Sequence, residues 1–200
     1  NATRVYGNPV DAVQVSVAEQ EGRAQMLQIW NILRRRSPEL ANSYLLSGAS
    51  QLHIRESRII RGGYVLTEDD IKSSARFRDS IAVGAWPVDI HPTNGYVGVH
   101  PHKENPPVPY EIPFRCLVPQ AVEGLLVAGK PISTTHRAHG STRVPGTSLA
   151  TGQAAGVAAA LSARAGGNLR DLDVNLLRAA LREQGAIVSV HGANAARATG

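Results

Sequence analysis

Between residues 17 and 36 apolar positions return at three- and four-residue steps, at Met26, Ile29, Trp30 and Leu33. That period predicts a helix with one apolar face, ended by Ser37-Pro38. Residues 51–65 contain HIRESRII, whose alternation predicts a half-buried strand broken at Gly62-Gly63. Thr67-Glu68-Asp69-Asp70 predicts a helix start with acids in the first turn. Residues 1–6 read as a strand cut from a longer context, and short strands are predicted around residues 80–83 and 95–99. After Pro106, Pro107 and Pro109 the chain runs extended through YEIPFRCLVP. Residues 124–130, GLLVAGK, are a short apolar run that predicts a strand covered on both faces. Residues 149–165 predict an alanine-rich helix with Gly152, Gly156 and Ala160 at four-residue steps. Such a stripe of small residues admits another backbone closely. A last helix is predicted from Asp171 or Asp173, carrying Leu176, Leu177, Ala180 and Leu181, with Gly185 at its C-cap. The tail after His191 is polar and small, which predicts fraying.

Composition narrows the class. A hydrophobic share of 42% and a charged share of 18% belong to a folded protein rather than a disordered one. No run approaches the roughly 18 apolar residues that span a bilayer, so a soluble protein without a membrane partner is expected. The formal charge of +5 admits a nucleic-acid reading. The pattern speaks against it: arginines are scattered, and Arg34-Arg35-Arg36 end a predicted helix, where cations suit the macrodipole. With 4% aromatic residues, little surface is available to stack bases. Cys116 is the only cysteine, which excludes an intrachain disulfide and a cysteine-based zinc site.

The order of residues 112–165 is the most informative feature. A buried strand, a polar glycine-containing loop and a tightly packed helix place helix N-terminal amides beside a site suited to an anionic or electron-rich group. GLLVAGKPIS, THRAHGSTRV and TSLATGQAAGVAAAL, with HIRESRIIRGGYVLTEDD upstream, resemble the bacterial FAD-dependent oxidoreductases of the glutathione-reductase-type superfamily. The resemblance spans about residues 1–188. It implies an α/β fold read here as an α+β fragment: a substrate or cap portion over 1–112, the C-terminal part of an FAD-binding domain over 113–166, and a C-terminal helix and tail over 167–200. It also implies FAD as cofactor, oxidation of a small organic substrate, and an N-terminal half that holds the ADP moiety on a G-x-G-x-x-G turn. No G-x-G-x-x-G occurs in these 200 residues. The expectation is therefore a fragment or subunit whose dinucleotide-binding half lies on a removed segment or a second chain, with association into oligomers open. A non-catalytic interaction subunit of the same shape is the rival expectation.

By resemblance, residues 125–129 are the returning strand and Gly129, Lys130 and Ser133 approach the cofactor. Relatives often carry an aspartate where this chain has Lys130, which shifts the usual ribityl contact toward a phosphate. Gly146, Thr147 and Ser148 are implied at the pyrimidine edge of the flavin, where a helix N-terminus stabilises negative charge by roughly 0.3–2 kcal/mol. In HIRESRII, alternation sets His53, Arg55 and Ser57 on one face and Glu56 and Arg58 on the other. Arg55, Glu56 and Ser57 are candidates for the flavin or substrate site, against a plain Arg–Glu pair.

Three residues are candidates for catalysis. His136 and His139, in a predicted loop, titrate near neutrality and suit a proton acceptor. His139 is the favoured one, because Gly140 beside it admits close approach of a ligand. Arg143 suits a carboxylate or phosphate, against a structural ion pair. Cys116 follows Arg115, which would lower its pKa, against a plain buried residue beside the returning strand. His91, His100 and His102 lack the carboxylates of a metal motif, so no metal is expected.

Overall fold

The computed structural model describes residues 3–90 and 108–191. The chain divides into two compact units, the first running to Ser57 and the second starting at Arg58.

The first unit is built on α1 (Ala12–Arg36). The helix starts five residues before the periodic apolar stretch, because the Asp11 carboxylate caps the amides of Val13 and Gln14. Its buried positions are Ala18 and Gly22 rather than the predicted Met26, Ile29, Trp30 and Leu33. A Cβ on Gly22 would stand 3.3 Å from the Leu52 side chain, and the Glu19 carboxylate accepts the Leu52 amide. The segment around Leu52 thus lies on the small-residue face of α1. Residues 3–6 and 51–61 hold no regular strand.

The second unit is α+β. Its sheet has two antiparallel strands, β1 (Ser80–Gly84) and β2 (Tyr110–Pro113), paired Ala82 to Ile112, Val83 to Glu111 and Gly84 to Tyr110, with a bulge between Ser80 and Ala82. The helices are α2 (Glu68–Lys72), α3 (His136–Thr142), α4 (Pro145–Ala165) and α5 (Val174–Glu183). α2 starts where the TEDD signal places it, through a capping box between Thr67 and Asp70. α5 is capped by Asp173 and ends before Gly185, which has φ of +80°. The YEIPFRC segment is extended only to Pro113 and then turns in a short 3-10 helix, Phe114–Cys116. The strand expected at residues 95–99 lies outside the described residues.

One expected strand is corrected. Residues 125–129 form no ladder among the described residues: Val127 N–H donates to Leu117 C=O in isolation, and Leu125 is 45% exposed. A doubly covered strand needs ladder neighbours on both edges, and among the described residues this run has only the isolated bond to Leu117. Around this run, three irregular stretches hold one another by backbone hydrogen bonds. Ile60 donates to Pro131, Leu66 to Ser133, Gly63 to Val118 and Ser133 to Cys116.

The core gathers Leu66, Ile81, Ile112, Leu117, Ile132, Leu177 and Leu181 between sheet, α4 and α5. Two buried polar groups lock it. Glu111, 4% exposed, accepts the amides of Phe77 at 2.8 Å and Val190 at 3.1 Å, so one carboxylate clamps two distant segments to β2. Tyr110 lies across Gly84, and a Cβ there would fall 2.4 Å from the ring. Gly84→Ala is therefore expected to lower stability by about 1–3 kcal/mol through overpacking. A lower urea midpoint with unchanged slope would show this; an unmoved midpoint would contradict the packing.

Candidate functional site

The site grows from the turn Gly129–Ser133 and the two helices after it. Gly129 has φ of +76°, a conformation in which a Cβ is strained. Its N–H donates to Thr151 Oγ1 at 3.0 Å, and that hydroxyl donates in turn to Thr147 C=O at 2.9 Å. One buried threonine thereby seats the turn against the first turns of α4. Thr151 falls four residues after Thr147 on the same helical face, a spacing that would have pointed to it in the sequence.

Among the described residues no side chain caps the N-terminus of α4. Pro145 at N1 carries no N–H, the N-cap Val144 offers no side-chain acceptor, and the first turn holds no acidic residue. The amides of Gly146 and Thr147 lack intrahelical acceptors by helix geometry. A Cβ on Gly146 would meet nothing within 4 Å. A Cβ on Gly129 would stand 3.7 Å from the Ser148 side chain, so the turn and the start of α4 adjoin. Lys130 follows Gly129 in a half-buried position.

THRAHGST is helical rather than a loop. Thr135 caps α3 by accepting the Ala138 amide at 3.3 Å. The helix sets His136 on an exposed turn and buries His139 to 1% exposure. Gly140 does admit a close approach, but of this chain: a Cβ there would fall 2.8 Å from Asp89 C=O. Arg143, its side chain 10% exposed, donates to that same carbonyl at 2.7 Å and lies 3.8 Å from the Asp89 carboxylate. α3 is fixed from below as well. Ser141 donates its single hydroxyl hydrogen to Trp86 C=O, so the Tyr110 phenol must be the donor in the 2.7 Å bond to Ser141 Oγ. Burial pushes the Tyr110 phenol up to about 12, which keeps it a donor. Glu68 of α2 pairs with Lys72 and with Arg137 of α3, and these cations hold its carboxyl below the usual range.

Three buried hydroxyls near this junction, Ser133, Thr134 and Thr142, have no hydrogen-bond partner among the described residues. Ser133 packs against Gly62, where a Cβ would fall 2.8 Å from its own Cβ. Unsatisfied buried hydroxyls and an uncapped helix N-terminus each suit a polar, electron-rich group.

A family model described as FAD dependent oxidoreductase matches residues 1–181. The chain belongs to that family. No curated protein and no solved structure matches it. The cofactor of this flavoprotein family is FAD, and the uncapped α4 start, the positive-φ Gly129 and the orphan hydroxyls fit its binding. Arg55, Glu56 and Ser57 belong to the first unit, without regular structure; Arg55 and Glu56 are half-buried and Ser57 is exposed, which departs from the alternation expected of a strand. His91, His100 and His102 lie outside the described residues. No helix among the described residues is long and apolar enough to cross a membrane.

Cys116 resolves the two readings of its reactivity. Burial pushes its thiol up to about 12, outweighing the nearby Arg115 cation. At pH 8 only about one thiol in ten thousand would be thiolate. Native protein should therefore leave an aromatic disulfide reagent unconsumed at pH 8, and guanidinium-unfolded protein should consume one equivalent. Rapid labelling of the native thiol would contradict the burial.

Proposed function

We propose that this chain is the substrate portion and flavin-facing C-terminal part of an FAD-dependent oxidoreductase that oxidises a small organic substrate by hydride transfer. The observation that carries the proposal is the open N-terminus of α4 held against Gly129 by Thr151. In this reading the amides of Gly146, Thr147 and Ser148 face the flavin, and Gly129, Lys130 and Ser133 line its approach. Bound FAD supplies the hydride acceptor. The chain's own part is to orient, to exclude water and to move a proton. The α3 histidines are the proton acceptors, His136 from an exposed turn and His139 from the interior. Arg55, Glu56 and Ser57 belong to the substrate side. Arg143, already tied to Asp89, holds the preceding loop and α3 in place.

The ADP-binding half is assigned to another segment or another chain. An exposed small-residue face supports this. Gly152, Gly156 and Ala160 are exposed on α4, and a Cβ on either glycine would meet nothing within 4 Å. The half-exposed Leu125–Ala128 run would complete its ladder in the same assembly. Adding the dinucleotide-binding half to this chain should restore visible flavin absorbance that the chain alone does not hold. Gly156→Leu should leave the chain's own circular dichroism and melting unchanged yet prevent that recovery, since overpacking costs about 1–3 kcal/mol only where a second backbone is close. Full FAD retention by the chain alone, or by the assembled variant, would refute the division of labour.

The buried position of His139 and the engaged Arg143 also suit a non-catalytic interaction subunit, and kinetics separate the two readings. His136→Ala or His139→Ala should slow flavin reduction by substrate about 10²–10⁴-fold without releasing FAD, as loss of a general base does. Stopped-flow bleaching at an unchanged rate in both variants and in the double variant would remove the histidines from the chemistry.

A further inference from the structure

An open cleft of about 570 Å³ lies in the second unit and shares no residue with the Gly129–Ser133 turn, α3 or the start of α4. Its volume falls within the roughly 300–1,000 Å³ of small-molecule sites. Phe114, Val118, Leu172 and Val174 give it an apolar lining. Three arginines stand around that lining against a single acid, Asp79.

The three cations are differently engaged. Arg115 is neutralised: its fork meets Asp79 at 2.8 and 3.2 Å, and its guanidinium stacks 5.1 Å from the Tyr64 ring. Arg170 is held but not neutralised. Its Nη2 donates to the carbonyls of Pro119 at 3.0 Å, Gln120 at 2.7 Å and Val122 at 3.4 Å, and none of these carries charge. Arg78 is exposed, and its guanidinium has no partner among the described residues; only its backbone carbonyl is engaged, by Arg178. The lining therefore keeps two uncompensated guanidinium groups beside an apolar surface. A guanidinium fork matches the paired oxygens of a carboxylate or a phosphate, and the apolar lining requires the anion to carry a hydrocarbon body.

We propose that this cleft is a second ligand site, one that takes a small amphipathic anion: a carboxylate or phosphate monoester on an apolar chain. Arg78 and Arg170 meet the headgroup, and Phe114, Val118, Leu172 and Val174 take the tail. The site stands apart from the flavin reading and does not depend on it.

Octanoate and octyl phosphate, titrated by calorimetry into the protein that contains this chain, test the proposal, with n-octanol and inorganic phosphate as controls. One or both amphiphiles should saturate at one equivalent, about tenfold or more tighter than either control, because charge and tail act together. The relative affinity of the two identifies which headgroup the site prefers. Arg78→Gln should weaken binding about fivefold to tenfold and Arg78→Glu further, through loss and reversal of one charge-assisted contact. Because the Arg78 side chain bonds nothing else, both variants should keep the parent melting temperature and flavin content. Absence of saturable binding by both amphiphiles would overturn the proposal. Equal affinity for n-octanol, or affinities untouched by both Arg78 variants, would overturn it too.

Discussion

The second unit depends on the burial of Tyr110. Its ring fills the space that Gly84 leaves on the neighbouring strand, and its phenol donates to Ser141. Ser141 passes its own hydrogen to Trp86 C=O. Strand β2, the segment after β1 and helix α3 are thus joined through one hydroxyl pair in the interior. Such a bond contributes about 0.5–1.5 kcal/mol net, while an unmet buried hydroxyl costs more, about 1–3 kcal/mol. The geometry is therefore held as much by the cost of breaking it as by its own strength. α3 leads directly into α4, so the open helix start inherits its position from this contact.

α4 shows how one helix serves two surfaces. Thr147, Thr151, Ala154, Ala158 and Ser162 are its buried positions, at steps of three and four. They face the sheet and α5, and Thr151 among them carries the hydrogen bonds that seat Gly129. The other side holds Gly152, Gly156 and Ala160, open to solvent here. Glycine serves neither helix propensity nor solubility at exposed positions, and it costs about 0.8–1.0 kcal/mol relative to alanine inside a helix. That cost is offset if another backbone packs there. At the far end of the chain, the Glu111 clamp holds the segment around Val190 against β2, which keeps α5 pressed on the core.

The starts of α2 and α5 were legible in the sequence because their signals are local. TEDD caps α2 and Asp173 caps α5 as their side chains require. The family was legible too, since several motifs occur in order along the chain. Strands were less so. LLVAG has the right composition, but a strand exists only with a ladder partner, and partners are chosen across the chain. THRAHG has the composition of a loop, yet Thr135 caps a helix. Its short length and Gly140 hid a helix that tertiary contacts with Asp89 and Tyr110 stabilise. The buried pairing of Tyr110 with Ser141, and the two amides on Glu111, carry no sequence signal at all. The motifs point to Gly146 and Thr147, whereas Thr151, which seats the site, lies one turn further along α4.

The central claim is that the α4 start and the Gly129–Ser133 turn face the flavin together. A crystal structure of the FAD-loaded protein that contains this chain tests it most directly. The account predicts the isoalloxazine pyrimidine edge within hydrogen-bond distance of the Gly146 or Thr147 amide, with the Gly129–Ser133 turn in contact with the cofactor. An isoalloxazine ring separated from both segments by an intervening layer of residues would contradict it.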